Sequence, residues 1–548
     1  MRRMLAGLAV AVLLLTGCTS GGTPPVPPLA PPVAEPQGEI AIRSCTAEQP
    51  LLPAATLGPC GLAIVDVVTA RLVRPDPVSG QPSLDLATAI ETQDSQNYTV
   101  RLARGRTFHD GTEVKARNFV AAWNWAAYGP HRMPAQSWFA IIEGGAAMNC
   151  PPQGSCSKDN RPTQLSGLSV VDDYTFTIKT VRPLVDLQAR LGHPVFSPLP
   201  DAFFAEDEGK DAFGKLPVGA GPFRIATNTN TEVTLTAVTG AGGGPVPKVA
   251  TVRFKKYDDP TRNLDVNKAY TDVVANNLDF TDIIPSDLLV DDVWQTDLAG
   301  RFGSRDTHTL QQLNFVASDP KLADPRVRQA ISMAIDRGAL ARQVFAGTRV
   351  PATGWVTPAV PGYQADACGD VCTYDLSRAR TLFRDGGGYP GEFTITVNAD
   401  GGHKQWADAV CNQLKNALEL DCQVNLLATQ EAVLATLRAG ELTGAVRQGW
   451  AADYPLAEAS LNQFRADSAL NLVGYRNPTF DAQLLTALEA TSQGTANEAY
   501  RRAEALLRED PPSVPLWFAT TPYGYSNRVT DVRVTPSGAL DLLSVRRV

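Results

Sequence analysis

Apolar positions recur at helical spacing between Asp324 and Arg337. Val327, Ala330, Ile331, Ala334 and Ile335 fall at i, i+3, i+4, i+7 and i+8 and predict one apolar face. Asp324 suits an N-cap and Pro325 the first helical position, so a helix is predicted through Arg337. Elsewhere the period shortens to two. Residues 98–102 alternate as a strand does, and Phe108-His109-Asp110-Gly111-Thr112 then supplies the Asp-Gly of a hairpin-like turn, with His109 expected in solvent. Residues 114–125 predict a helix with Lys115 and Arg117 on its polar side. A turn at Asp172-Asp173-Tyr174 precedes an alternating strand to Ile178. Residues 232–238 and 249–254 alternate on either side of glycine-rich 240–244, which predicts a long hairpin connection rather than a phosphate cradle. Farther on, 377–383 and 406–418 read as helices and 393–397 as a strand. Strands and helices intermixed, with no internal repeat, give an α/β fold.

The first residues follow none of these patterns. Arg2 and Arg3 precede a short apolar run, 5–15, too short to span a bilayer and shaped like a signal peptide. It ends in Leu15-Thr16-Gly17-Cys18, which looks like a lipobox and makes Cys18 the expected lipidation site. Residues 1–18 are therefore expected to be removed or anchored, and Pro- and Gly-rich 19–38 to form a flexible tether. No other stretch is long and apolar enough to cross a bilayer, so the body is expected to be soluble and tethered.

Composition narrows the class further. The chain has 548 residues, enough for more than one lobe with its own core, and 44% hydrophobic residues. Its net charge is −8 with no basic run, which argues against nucleic acid as a partner. Setting Cys18 aside, the remaining cysteines sit as close neighbours: Cys45/Cys60, Cys150/Cys156, Cys368/Cys372 and Cys411/Cys422. Export into an oxidising compartment favours four local disulfides. A two-thiolate metal site at Cys368 and Cys372 is the alternative, although no second pair or histidine lies at zinc-site spacing.

Candidate catalysis is sparse. His109, His131, His193, His308 and His403 form no close ligand pair, and no nucleophile-elbow motif is present. Residues 209–216 match a phosphate loop except at Leu216, which lacks the hydroxyl that would reach magnesium. No catalytic residue, metal site or cofactor is expected.

Several segments together carry a family resemblance. The run 313–337, LNFVASDPKLADPRVRQAISMAIDR, resembles the central signature of family 5 of the ABC-transporter solute-binding proteins, the peptide and nickel group. Phe108-His109-Asp110-Gly111-Thr112, Pro217-Val218-Gly219-Ala220-Gly221-Pro222-Phe223, Tyr475-Arg476-Asn477-Pro478 and Asp510-Pro511-Pro512-Ser513-Val514-Pro515-Leu516 resemble further family blocks, covering about 61–520. Ala220 replaces the usual small hydroxyl residue. The resemblance implies a two-lobe fold of periplasmic-binding-protein type II, with a ligand cleft between the lobes and an extra inserted subdomain. Its implied limits are 39–86, 203–304 and 513–548 for the first lobe, 87–202 for the insertion and 305–512 for the second lobe, with two crossing strands as hinge.

The same resemblance points to Gly449-Trp450-Ala451-Ala452-Asp453-Tyr454-Pro455. In peptide-binding members the similar motif lines the cleft and its aspartate pairs with the ligand's α-ammonium. Asp453, Trp450, Gly449, Ala451 and Tyr454 are the implied ligand-binding residues. Trp450 would offer an apolar surface and one N–H donor. A fixed carboxylate offsets the water that a buried ammonium loses. Downstream the chain departs from the family, with Leu456-Ala457-Glu458 in place of the usual Asp-Pro. The implied function is capture of short peptides by a monomeric lipoprotein on the outer face of the cytoplasmic membrane. Delivery would be to two permease subunits with ATPases behind them. A nickel chelate, sugar or haem ligand is the alternative within the class, and an exported hydrolase the alternative outside it.

Overall fold

The structure, a computed structural model, describes residues 35–47, 49–150, 156–157, 161–205, 210–239, 244–257, 266–289, 293–345, 347–399, 403–451, 454, 456–468 and 470–548. Cys18, most of the expected tether and Asp453 lie outside the described residues. Gln37 and Gly38, expected in the tether, already belong to the body. The Gln37 amide donates to the Lys248 carbonyl at 3.0 Å, and the Gly38 carbonyl accepts from Ala250.

Most strands join one sheet of eleven. Glu39–Ser44 opens it, running parallel to Thr251–Lys256 on one side and to Phe280–Thr281 on the other. Glu232–Ala237 and Phe223–Asn228 extend that half antiparallel, Glu232–Ala237 pairing directly with Thr251–Lys256, while 240–243 of the expected hairpin connection lie outside the described residues. Ile40, Ile42, Val68, Phe223, Leu235 and Phe254 close a core beneath it.

A separate four-stranded antiparallel sheet pairs Ala87–Thr92, Asn97–Leu102, Thr175–Lys179 and Leu168–Asp172. Helix Ala116–Ala127 lies over it and buries Phe119, Ala122, Trp123 and Ala126. Trp123 meets Phe139, Phe176 and Phe196 at ring separations of 5.4–6.4 Å, a dense aromatic centre. Fully burying each such ring stabilises by roughly 1.5–3 kcal/mol. Lys115 and Arg117 stay on the polar side and reach Asp173 and Asp201.

The other half of the large sheet is built as strand, helix, strand. Phe393–Asn398 and Cys422–Leu427 run parallel, connected by helix Lys404–Leu418, whose Trp406, Val410, Leu414 and Leu418 face inward. The signature segment packs on the same core. Its five apolar positions are all buried, but the helix is shorter than predicted. Pro325–Met333 ends at Ala334, and a second helix begins at Arg337. Apolar spacing continues through the turn because Ala334 and Ile335 are buried there as well. Asp336 then accepts from the Ala339 amide and starts the second helix.

Two long strands carry the sheet from one half to the other. Phe302–Phe315 and Ser513–Tyr525 pair antiparallel, and their register slips between Asp306/Thr520 and Leu310/Phe518. The bulged stretch Thr307, His308 and Thr309 therefore lies at the midpoint of the crossing.

The structure bridges Cys45 to Cys60, Cys150 to Cys156, Cys368 to Cys372 and Cys411 to Cys422, with Cα–Cα separations of 5.1–5.7 Å. Sequence spacing treats these pairs alike, but their surroundings differ. Cys60 stands in the first turn of helix Pro59–Val68 and Cys156 beside exposed Ser157, and both, like Cys45 and Cys150, are only half-buried. These two bridges therefore pin surface segments. Cys411 and Cys422 instead sit inside the core that holds the signature helix. Cys368 and Cys372 are bonded to each other, so neither thiolate is available to a metal.

His109 is not the solvated residue expected from its turn. Its Nε2 lies 3.0 Å from the Gly221 carbonyl, and its Nδ1 accepts from the Gly219 amide at 3.3 Å. The Phe108–Thr112 turn thus docks on the 217–223 loop. That loop in turn lies on the end of helix Pro59–Val68, where a Cβ at Gly221 would come within 2.4 Å of the Val67 carbonyl. Close backbone approach is why glycine stands there.

Candidate functional site

Strand Ala445–Ala451 ends in the segment the sequence marks. It pairs antiparallel with the crossing strand, Leu310 opposite Trp450 and Gln311 opposite Gly449. On its other side it pairs with Phe393–Asn398 only through Ala445 and Val446. Among the described residues no strand occupies that outer edge from Arg447 to Ala451. Gly449 and Ala451 are exposed there.

Alternation places Arg447, Gly449 and Ala451 on one face of this strand. The Arg447 guanidinium donates to Gln311 Oε1 at 3.1 Å, to Gln430 Oε1 at 3.2 Å and toward Asn398 Oδ1 at 3.5 Å. Those three acceptors come from three different elements and fix the group beside Gly449, whose Cβ position would lie 2.7 Å from an Arg447 nitrogen.

Trp450 is half-buried, and its N–H donates to the Ala459 carbonyl at 2.8 Å. That donor, expected to be offered to a ligand, is committed within the chain, which leaves the ring face. Tyr454 is committed too. Its hydroxyl accepts from Arg190 at 2.7 Å and donates to Glu458 at 2.9 Å. Its ring meets Trp138 edge-on at 5.9 Å.

Arg190 belongs to a different core. It sits in the short helix Leu187–Arg190, packed with the aromatic body around Trp123. One edge of its guanidinium holds Asp186, both bonds 2.9 Å, and the same Nη2 reaches Glu458 at 2.9 Å. The Asp186, Arg190 and Glu458 side chains are 5%, 5% and 8% exposed. Burial alone would raise the Glu458 carboxyl, but Arg190 and the Tyr454 hydroxyl more than offset it and hold the group below its usual range. Burial likewise opposes charge on Arg190, yet its anionic partners raise it well above the ordinary guanidinium value. Arg190 and Glu458 therefore both stay ionised at neutral pH.

Of the sequence-marked residues, Gly449, Trp450, Ala451 and Tyr454 come together along one stretch of chain. Arg447, Arg190 and Glu458 were not among them. Arg447 shares the alternation of Gly449, a signal that was readable. Asp186 and Arg190 are an i, i+4 pair, a weaker signal. Glu458 stood out only as a departure from the family. Within the described residues, no group of three or more His, Cys, Asp or Glu is arranged to hold a metal.

Comparison with known proteins decides the class. Residues 81–471 match the model of the bacterial extracellular solute-binding proteins, family 5. The chain belongs to that family. It is 24% identical over 463 residues to the glutathione-binding protein of Salmonella choleraesuis, covering 81% of this chain and 82% of that one. To the periplasmic oligopeptide-binding protein of Salmonella typhimurium it is 24% identical over 466 residues, 80% of each. The solved murein tripeptide-binding protein of Escherichia coli superimposes with a TM-score of 0.73 at 21% identity, over 94% of this chain and 99% of the other. That likeness establishes the fold: a type II periplasmic-binding-protein architecture of two lobes about a cleft, with an additional subdomain. These relatives are substrate-binding proteins, not enzymes. Among the described residues no helix is long and apolar enough to cross a membrane.

Proposed function

We propose that this family 5 protein captures short peptides and presents them to the membrane subunits of an ABC importer, held at the membrane through a lipid on Cys18. The carrying observation is the open backbone edge of Arg447–Ala451. An extended peptide can add there as a strand, and main-chain pairing tolerates varied side chains. Exposed Gly449 and Ala451 leave room for its backbone, and the Trp450 ring gives an apolar wall. The relatives named for glutathione, oligopeptides and a murein tripeptide favour the same ligand class. On this reading the lobes take the limits 39–86 with 203–304 and 513–548, and 305–512, with 87–202 inserted. The protein acts as a monomer.

Asp453 is the proposed partner of the peptide's α-ammonium. What supports this is the chain on either side: Ala451 ends the open strand, and Tyr454 lies where the two bodies meet. Arg447 supplies a fixed positive group farther back along the same strand, so a zwitterion finds both signs of charge. Losing one partner of a desolvated pair costs about 2–5 kcal/mol, or about 30-fold or more in affinity. Asp453→Asn is therefore expected to weaken binding of free tripeptides by that factor. N-acetylated tripeptides should bind the unaltered protein poorly, and the variant should discriminate less. Calorimetry on that two-by-two set is the test. Equal affinity of the unaltered protein for free and acetylated peptides would remove the amine anchor and favour an uncharged ligand or a chelate.

A further inference from the structure

We propose that His193, Asp66 and Trp138 form a side pocket for a primary carboxamide, such as the side-chain end of an asparagine or glutamine in the bound peptide. The inference extends the peptide site proposed above and rests on that reading. Segments distant in sequence bring the pocket together. Helix Pro59–Val68 carries Asp66 in its last turn, and His193 immediately precedes the turn Pro194–Phe196. Ser197 Oγ donates to Thr69 Oγ1 at 3.0 Å and holds the two segments side by side. The His193 ring lies against Trp138, their centres 4.2 Å apart, and Trp138 meets the Tyr454 ring at 5.9 Å. A single ring therefore stands between this pocket and Tyr454, beside the open strand. His193 and Trp138 are both half-buried.

Each member keeps an unused polar group. His193 Nδ1 accepts from the Val195 amide at 3.2 Å, so the ring proton sits on Nε2. Burial, with the Arg71 charge beside it, keeps the ring neutral. Among the described residues nothing accepts from His193 Nε2 or from Trp138 Nε1. Asp66 Oδ1 accepts from Arg71 at 2.6 Å, while Oδ2 lies 4.0 Å from Arg74, beyond hydrogen-bond reach. The Arg71 side chain is 2% exposed and that of Asp66 44%, so the carboxylate is the part of the pair a ligand can touch. Charge then selects among ligands. Arg74 and Arg106 share Asp85, so three guanidiniums stand behind two carboxylates. An ammonium would meet a carboxylate already offset by Arg71 and Arg74. A carboxylate would meet Asp66 itself and only neutral donors. Either ion gives up water for too little in return. A primary carboxamide donates to Asp66 Oδ2 and accepts from His193 Nε2 or Trp138 Nε1, so both of its ends are paired.

Calorimetry on the full chain tests this with alanine tripeptides that carry Gln, Glu, Lys or Met at each position in turn. At one position the Gln peptide should bind about tenfold or more tighter than its Met, Glu and Lys counterparts, the cost of leaving one desolvated polar group unpaired. A site built to hydrogen-bond a ligand group rejects the analogue that lacks it. His193→Asn keeps an acceptor for the Val195 amide and removes the Nε2 donor, so it should erase most of that preference. Asp66→Asn removes the carboxylate acceptor, should act in the same direction, and carries the test if the first variant does not fold. Peptides that bind with no Gln preference at any position would overturn the pocket and leave the peptide reading standing. So would a preference that the folded variants retain in full. Failure of every peptide to bind would overturn both.

Discussion

Single buried titrating groups set how this molecule responds to pH, and they pull in opposite directions. Burial, reinforced by Arg71, pushes His193 down to about 3, and burial also depresses His109 and His308. Such groups bind fewer protons folded than unfolded, so their stability is present above about 6.5 and is lost as pH falls below it. Glu504 behaves inversely. Burial raises it to about 7, although its Oε1 accepts from the Trp355 and Val356 amides at 2.7 and 3.1 Å. Folded Glu504 holds its proton where the unfolded chain has lost it, so stability declines as pH rises from about 4.5 through 7, by about 3 kcal/mol at most. Glu504→Gln retains an Oε1 acceptor for both amides and removes the titration. Thermal melting across pH 5–8 should then show the variant more stable than the unaltered protein above pH 7. Superimposable curves would exclude a buried charge cost at Glu504. Nothing in the local sequence marked this residue: it looks like one more polar position on helix Gln493–Glu509, and only a loop distant in sequence buries it.

Elements were legible where one face decides the period. Helix Lys404–Leu418 and strand Phe393–Asn398 form within two residues of the expected limits, because their buried positions repeat at helical or alternate spacing. The break at Ala334 was not legible, since the turn buries apolar residues at the spacing a continuous helix would use. His109 was misjudged for a related reason. A turn reads as solvent-facing until another loop covers it. The glycines of 217–223 are the covering element, and their contacts give a sharp contrast. Gly221→Ala must push a Cβ against the Val67 carbonyl, and Gly219→Ala against the Val68 carbonyl. Each should destabilise by about 1–3 kcal/mol, the range for overpacking. Gly494→Ala, early in helix Gln493–Glu509 with its nearest neighbour 4.0 Å away, should instead be neutral or stabilising by about 0.5–1 kcal/mol. Chemical denaturation of the three variants is the check. Equal effects at Gly221 and Gly494 would contradict the close-approach account.

At the scale of the whole molecule, local pattern is silent about how the chain crosses between halves. The pairing of Phe302–Phe315 with Ser513–Tyr525 joins segments far apart in sequence, and only the resemblance to a family anticipated it. The proposed anchor is also a whole-molecule property. Because Gln37 and Gly38 dock on the body, the proposed tether is shorter than 19–38. About 18 residues at about 3.1 Å each reach roughly 55 Å when extended. As the proposed tether, that length would let the two-lobe body turn its cleft toward a membrane partner, whereas a lipid placed directly on Glu39 would fix it. A solute-binding protein needs that proximity, since a partner held close acts at high effective concentration. Cys18→Ser should abolish it without touching the fold. Fractionation of expressing cells should find the variant released from the membrane or retaining residues 1–18, while its melting profile and peptide binding match the unaltered protein. A variant that is processed and membrane-bound like the unaltered chain would show that the sulfur of Cys18 holds no lipid, and that contact with the importer has to be made by the folded body itself.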